Sequence, residues 1–220
     1  MLPIAQQLEL NDLYVQRKWR ELAERPEIVD YPDWVIELAK DGNCQVRVYL
    51  SRNPVIANFL EVAARLAGDE DLSVRQNLAH NSQAVSLPEI ATTLCEDQHW
   101  MVRAGLALNP AIASLPTIAA KLADDPHLVV RERLAENPAI VNFPKVVHRL
   151  ASRKMSTKIR KALAKNPAIV ALPEIVEKLA HDPSWPVRDY LRWRNPAVSG
   201  TRVTPALNVL GSFAKPAGES

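Results

Sequence analysis

Two cysteines, six glycines and five histidines are all that 220 residues provide of the types that build disulfide frameworks, phosphate loops and metal sites. Cys44 and Cys95 are too few for a disulfide-stapled domain or a four-thiolate zinc site. The glycines form no phosphate-cradling loop. His80, His99, His127, His148 and His181 are scattered, with neither His-x-x-x-His nor Cys-x-x-Cys spacing anywhere. These gaps argue against metal binding and against a Cys/His nucleophile pair, so no cofactor and no enzyme activity are expected. No apolar run approaches the roughly 18 to 20 residues that a bilayer span needs. The start, MLPIAQQLELND, lacks the basic and then apolar pattern of a secretory signal. A reducing cytoplasm is the expected location, and a membrane is not an expected partner.

What the chain does have is a phrase that returns. Val46-Arg47, Val74-Arg75, Val102-Arg103, Val130-Arg131, Ile159-Arg160 and Val187-Arg188 follow one another at steps of 28, 28, 28, 29 and 28 residues. In the same register stand Asn53-Pro54, Asn81-Ser82, Asn109-Pro110, Asn137-Pro138, Asn166-Pro167 and Asn195-Pro196. Phe59-Leu60, Leu87-Pro88, Leu115-Pro116, Phe143-Pro144 and Leu172-Pro173 come next, and each unit closes on a leucine followed by a small residue, as in Leu122-Ala123. A weaker copy precedes them in RPEIVDYPDWVIELAKD, residues 25 to 41. A fixed period of this length marks a repeat array rather than one compact core.

Proline disfavours helix at the residue before it, so the V-R helix must end near Asn, which can cap the next turn with Pro as its first residue. The second Pro restarts the chain in the same way, and Asp-Pro at 125–126 and 182–183 reads as a cap opening the next V-R helix. Each unit should hold a helix of about three turns, a short 3₁₀ segment and a second helix of two to three turns. None could bury its apolar face alone, so the expectation is an all-α, right-handed α-solenoid of about six to seven 28-residue repeats. Residues 1–17 are expected to form an N-terminal cap segment, 18–197 the array and 198–220 a disordered tail rich in Gly, Pro, Ser and Thr.

The string VRERLAENP, followed by segments such as LADDP, resembles the leucine-rich repeat variant family over residues 18 to 197. That resemblance implies a solenoid alternating α and 3₁₀ helices. The units here are longer than that family's, and the chain has no counterpart of the N-terminal cysteine cluster of its iron–sulfur member. The phrase D-P-x-x-x-V-R is also similar to HEAT-type repeats, which carry two full helices per unit.

Six arginines at one slot (Arg47, Arg75, Arg103, Arg131, Arg160, Arg188) could form a ligand track, but Asp41, Asp69, Asp97, Asp125 and Asp182 stand six residues before five of them. Bonds to carboxylates or helix-end carbonyls would make the ladder architectural. Charge elsewhere is segregated. Between Asn137 and Pro173 there is no Asp or Glu, while Lys145, Arg149, Arg153, Lys154, Lys158, Arg160, Lys161 and Lys165 supply eight of the 27 positive charges. This stretch also holds the extra residue of the 29-residue step, and Trp193 is a candidate aromatic extension of it. Trp100 and Trp185 share a slot with Leu72 and Leu128 and are expected in the core. The reading is a non-enzymatic scaffold that binds a protein partner through its concave face or the basic 145–165 segment. The alternative is a nucleic-acid-binding solenoid and, further off, a HEAT-like DNA glycosylase with Asp189 between Trp185 and Trp193.

Overall fold

A computed structural model describes residues 4–15 and 18–194, so the tail from 198 onward and the last residues of the array lie outside the described residues. Every element among the described residues is helical, and no strand occurs. The V-R helices are Cys44–Arg52, Leu72–His80, Trp100–Leu108, Leu128–Glu136, Thr157–Lys165 and Trp185–Arg194. Each of the first five is followed by one short turn and then by a helix of seven or eight residues, such as Pro116–Ala123 or Pro144–Leu150.

Local chemistry sets these boundaries. Asn53, Asn109, Asn137 and Asn166 leave the helix with extended backbone, and each side-chain Oδ1 accepts the N–H two residues on, starting the 3₁₀ segments Pro54–Asn58, Pro110–Ser114, Pro138–Asn142 and Pro167–Ala171. One residue thus ends one helix and caps the next. Where Ser82 replaces Pro, Asn81 accepts from both Gln83 and Ala84 and the turn is α-helical.

Like elements touch like. The V-R helices contact one another in chain order, from Trp19–Glu24 through to Trp185–Arg194, and the short turns do the same from Pro26–Asp30 to Pro167–Ala171. Between them run rows of closed apolar side chains: Leu50, Leu78, Leu106, Leu134 and Leu163 in one, Leu38, Leu66, Leu94, Leu122, Leu150 and Leu179 in another. Each such leucine contributes roughly 1.5–3 kcal/mol by leaving water. At the amino end, the helix Ile4–Val15 buries Leu10 and Leu13, and Glu9 pairs with Arg25. No described helix is long and apolar enough to cross a membrane.

A buried polar seam runs through the same array. The Asn53 Nδ2 donates to Ala23 O and Arg25 O, Asn81 to Ser51 O and Asn53 O, Asn137 to Ala107 O and Asn109 O, and Asn166 to Ala135 O and Asn137 O, all at 2.9–3.0 Å. Each asparagine is therefore a cap in its own unit and a clasp on the one before. Cys95 fills the slot that Ala67 and Ala123 fill in neighbouring units, and burial pushes its thiol pKa up to about 11. A thiol reagent at pH 8 should label the half-buried Cys44 alone in native protein and both cysteines in denaturant. Because the folded value lies above the unfolded one near 9.0, this thiol's contribution is complete below 9 and is lost as pH rises toward 11. Native labelling of Cys95 at pH 8 would refute its burial.

Candidate binding surface

The arginine ladder is a chain of closed rungs, and the register differs from the expected one. Arg47, Arg75, Arg103 and Arg160 take the carboxylate of the following unit, 22 residues on, and the first three take only the backbone carbonyl of their own unit's aspartate. Arg47 donates Nε to Asp69 Oδ2 at 2.7 Å and Nη2 to Oδ1 at 2.9 Å, with Nη1 on Asp41 O at 2.7 Å. Arg75 holds Asp97, Arg103 holds Asp125 and Arg160 holds Asp182 in the same forked way, their Nε bonds being 2.6–2.7 Å. The partners are almost closed off, with side-chain exposures of 6–13% for the arginines and 4–6% for the aspartates. Those carboxylates hold the Arg47 and Arg103 guanidinium pKa values above their usual value.

The aspartates have a second duty. Asp69, Asp97, Asp125 and Asp182 each accept the backbone N–H two residues later. The expected role of Asp125 and Asp182 as helix caps is thus corrected. The cap before Leu128–Glu136 is His127, and Asp125 sits two residues upstream, where its oxygens can reach Arg103.

Arg131 breaks the series. Its Nη1 bonds Asp125 O, but its Nε is buried without a partner: the 22-residue spacing of the other rungs falls on Arg153, and the six-residue offset from Arg160 falls on Lys154, so neither register supplies a carboxylate. The extra residue lies in the same turn, and Arg160 Nη1 takes the carbonyl of Met155, five residues back instead of six. Arg188 bonds Asp182 O and Pro183 O.

The basic segment is divided rather than gathered. Lys145 and Arg149 lie on Pro144–Leu150, Arg153 and Lys154 in the turn after it, and Lys158, Lys161 and Lys165 on the next V-R helix. Arg149 pairs with Asp124 of the preceding unit. It belongs to an outer row in which Lys121 pairs with Glu96 at 2.6 Å and Arg65 donates to Ala39 O at 3.1 Å. That row was legible as a recurring basic residue at 65, 121, 149 and 178, masked by Thr93. Lys145, Arg153, Lys154, Lys158 and Lys165 are exposed, whereas Lys161 is half-buried.

On the V-R face, Lys161 Nζ lies 4.5 Å and Lys165 Nζ 4.9 Å from the ring centre of Tyr190 in the next helix. At the other end of the array the tyrosine and one cation recur at the same slots, while the second cation comes from the tyrosine's own helix. The Arg20 guanidinium lies 4.4 Å and that of Arg52 5.8 Å from the Tyr49 ring. Arg20 to Tyr49 and Lys161 to Tyr190 are both steps of 29 residues. Between these ends the face carries Asn77, His80, Met101 and Glu136.

The tryptophan expectation needs correction. Trp185 is 66% exposed and Trp100 is half-buried, its ring 4.4 Å from that of His127. The slot lies in the first turn of the V-R helix, where Leu72 and Leu128 are also only half-covered, and a large ring there is covered when a neighbouring ring stacks on it. Trp193 ends the same helix as Trp185, but its side chain lies outside the described residues. Asp189 is half-buried on that helix, and no group of three His, Cys, Asp or Glu among the described residues could hold a metal ion. The chain matches no protein-family model, and no curated protein matches it.

Proposed function

We propose that the units stack as a right-handed α-solenoid of six to seven repeats, related to the leucine-rich repeat variant pattern, and that this solenoid is a cytoplasmic, non-enzymatic scaffold. Its V-R face binds an acidic segment of a protein partner. The α, 3₁₀, α order, kept in every fully described unit except that of Ser82–Val85, and the contacts between like elements support the architecture.

One observation carries the functional reading: two tyrosines at one slot of the V-R face, each with two cations against its ring, one of which is matched between the two clusters. Four ladder arginines are spent on internal carboxylates, so they do not form a ligand track. The clustered cations remain on the surface, where a ring contact holds each partly in place for about 0.5–1 kcal/mol. A preset cation loses less freedom when a carboxylate arrives.

The test is fluorescence anisotropy with a labelled poly-glutamate peptide, a labelled DNA duplex and a single strand. The peptide should bind, and replacing Lys158, Lys161 and Lys165 by Glu should weaken it more than tenfold while the melting temperature holds. On the helix these residues stand three and four apart, and three glutamates repel one another about as much as three lysines do, by a few tenths of a kcal/mol per pair, so the exchange leaves that contribution to stability nearly unchanged. Unchanged peptide affinity in the triple variant would overturn the proposal. Duplex or single-strand binding that falls on the order of a thousandfold between about 50 and 200 mM salt would instead favour the nucleic-acid reading.

A further inference from the structure

The break in the ladder at Arg131 is a second feature, independent of the V-R face. Four rungs show what this slot is built to hold: two oxygens of one anion on Nε and Nη2 of an arginine whose Nη1 is fixed by a backbone carbonyl in the linker before its helix. At Arg131 the carbonyl bond is present and the anion is not supplied by the chain, since the two ways of counting the register across the extra residue fall on Arg153 and Lys154, both basic. Two buried polar atoms without partners fall within one helical turn of each other, Arg131 Nε and His127 Nδ1. His99, in the equivalent cap position, uses its Nδ1 to accept the Met101 N–H. Buried polar groups are rarely left unpaired, and here two coincide with the misplaced charge and the extra residue.

The nearby acidic groups do not offset this. Asp125 is committed to Arg103, and Asp124 pairs with Arg149. Lys154 and the adjoining Arg153 are exposed, and Arg131 is partly open, as is Arg103, while Arg47, Arg75 and Arg160 are buried.

We propose that Arg131, with Arg153 and Lys154 from the following turn and His127 capping its helix, binds a small oxyanion of the phosphate class in place of the missing rung carboxylate. A phosphate offers the guanidinium fork the same two oxygens that a carboxylate does, and a further oxygen to the lysine. Nε is closed to solvent, so the anion first meets the open part of the guanidinium and Lys154. Two-point contact then requires the turn at residues 151–156, which holds the extra residue, to yield.

Thermal melts of the full chain in inorganic phosphate and in sodium chloride of equal ionic strength test this, with acetate as a carboxylate probe. Binding to the folded state alone raises the midpoint with the logarithm of ligand concentration. The wild type should show such a rise with phosphate, larger than with acetate and absent with chloride. Lys154→Asp places a carboxylate six residues before Arg160, the offset that each rung aspartate keeps from its own unit's arginine, so it should melt higher than wild type in chloride and lose the phosphate response. Lys145→Asp makes the same charge change away from Arg131 and should keep it. A phosphate response equal in all three proteins, or no greater than that of chloride in the wild type, would overturn the site. Should Lys154→Asp fold poorly, Arg131→Gln gives the second reading: a full phosphate response in that variant would equally overturn it.

Discussion

Replacing Asp125 by alanine is expected to lower the unfolding free energy by about 3–5 kcal/mol, the range for removing one partner of a buried ion pair. The pair as a whole need not be worth that much, because desolvating two charges offsets most of their attraction. The loss comes from what stays behind. The Arg103 guanidinium, its side chain 13% exposed, would keep its Nη1 bond to Asp97 O but face no carboxylate. The His127 N–H would also lose its acceptor at the start of the next helix. Asp125→Asn keeps one oxygen for that N–H and should cost less. Arg131→Ala, at the rung with no carboxylate partner, should cost least of the three. Urea titrations followed by circular dichroism give all three values. In an array stabilised by neighbour contacts, weakening a central interface also uncouples the two sides. The Asp125→Ala transition should therefore broaden or split. A loss below about 1 kcal/mol with an unchanged single transition would show that the ladder is ornamental to folding.

The repeat made much of this arrangement legible. A proline at a fixed slot can end a helix in only one way, so the unit boundaries and the Asn caps follow from residues 53, 109, 137 and 166 without knowledge of the packing. The partner of each arginine did not follow. Spacing along the chain points to the aspartate six residues before, whereas the side chain reaches across the interface to the one 22 residues after. Sequence distance ranks near neighbours first, whereas here the residue six positions back offers only its backbone carbonyl and the neighbouring unit supplies the carboxylate. The clasping half of the asparagines was hidden for the same reason, since their acceptors are backbone carbonyls 28 to 31 residues away that carry no side-chain signature. Trp185 was misread because a slot shared with leucine says that the position is apolar, not that it is covered. Conversely, the missing aspartate and the extra residue near 154 were plain in the sequence, and the structure shows what the coincidence costs: an unpaired Nε on Arg131.

Asn137→Asp is the sharper probe of the second seam, because it changes two donors into acceptors while keeping the shape. The native side chain, 1% exposed, accepts the Ala139 N–H at 2.9 Å and donates to Ala107 O and Asn109 O at 2.9 and 3.0 Å. Alanine at this position removes the cap, worth about 1 kcal/mol, and strands two buried carbonyls at roughly 1–3 kcal/mol more. Aspartate keeps the cap but sets a carboxylate against those two carbonyl oxygens in a closed site. Burial and the facing oxygens both disfavour its charged form, so its folded pKa must rise above the unfolded value of about 3.9. A raised folded value means that the protonated form favours folding: its stabilising effect is complete in acid and declines as pH rises. At pH 7 the aspartate variant is therefore expected to be less stable than the alanine variant, and at about pH 4.5 the gap should narrow or reverse, since a neutral carboxyl can donate to one carbonyl. Urea midpoints of wild type and both variants at the two pH values decide the matter. An aspartate variant as stable as wild type at pH 7 would mean that the asparagine clasps do not hold one unit to the next.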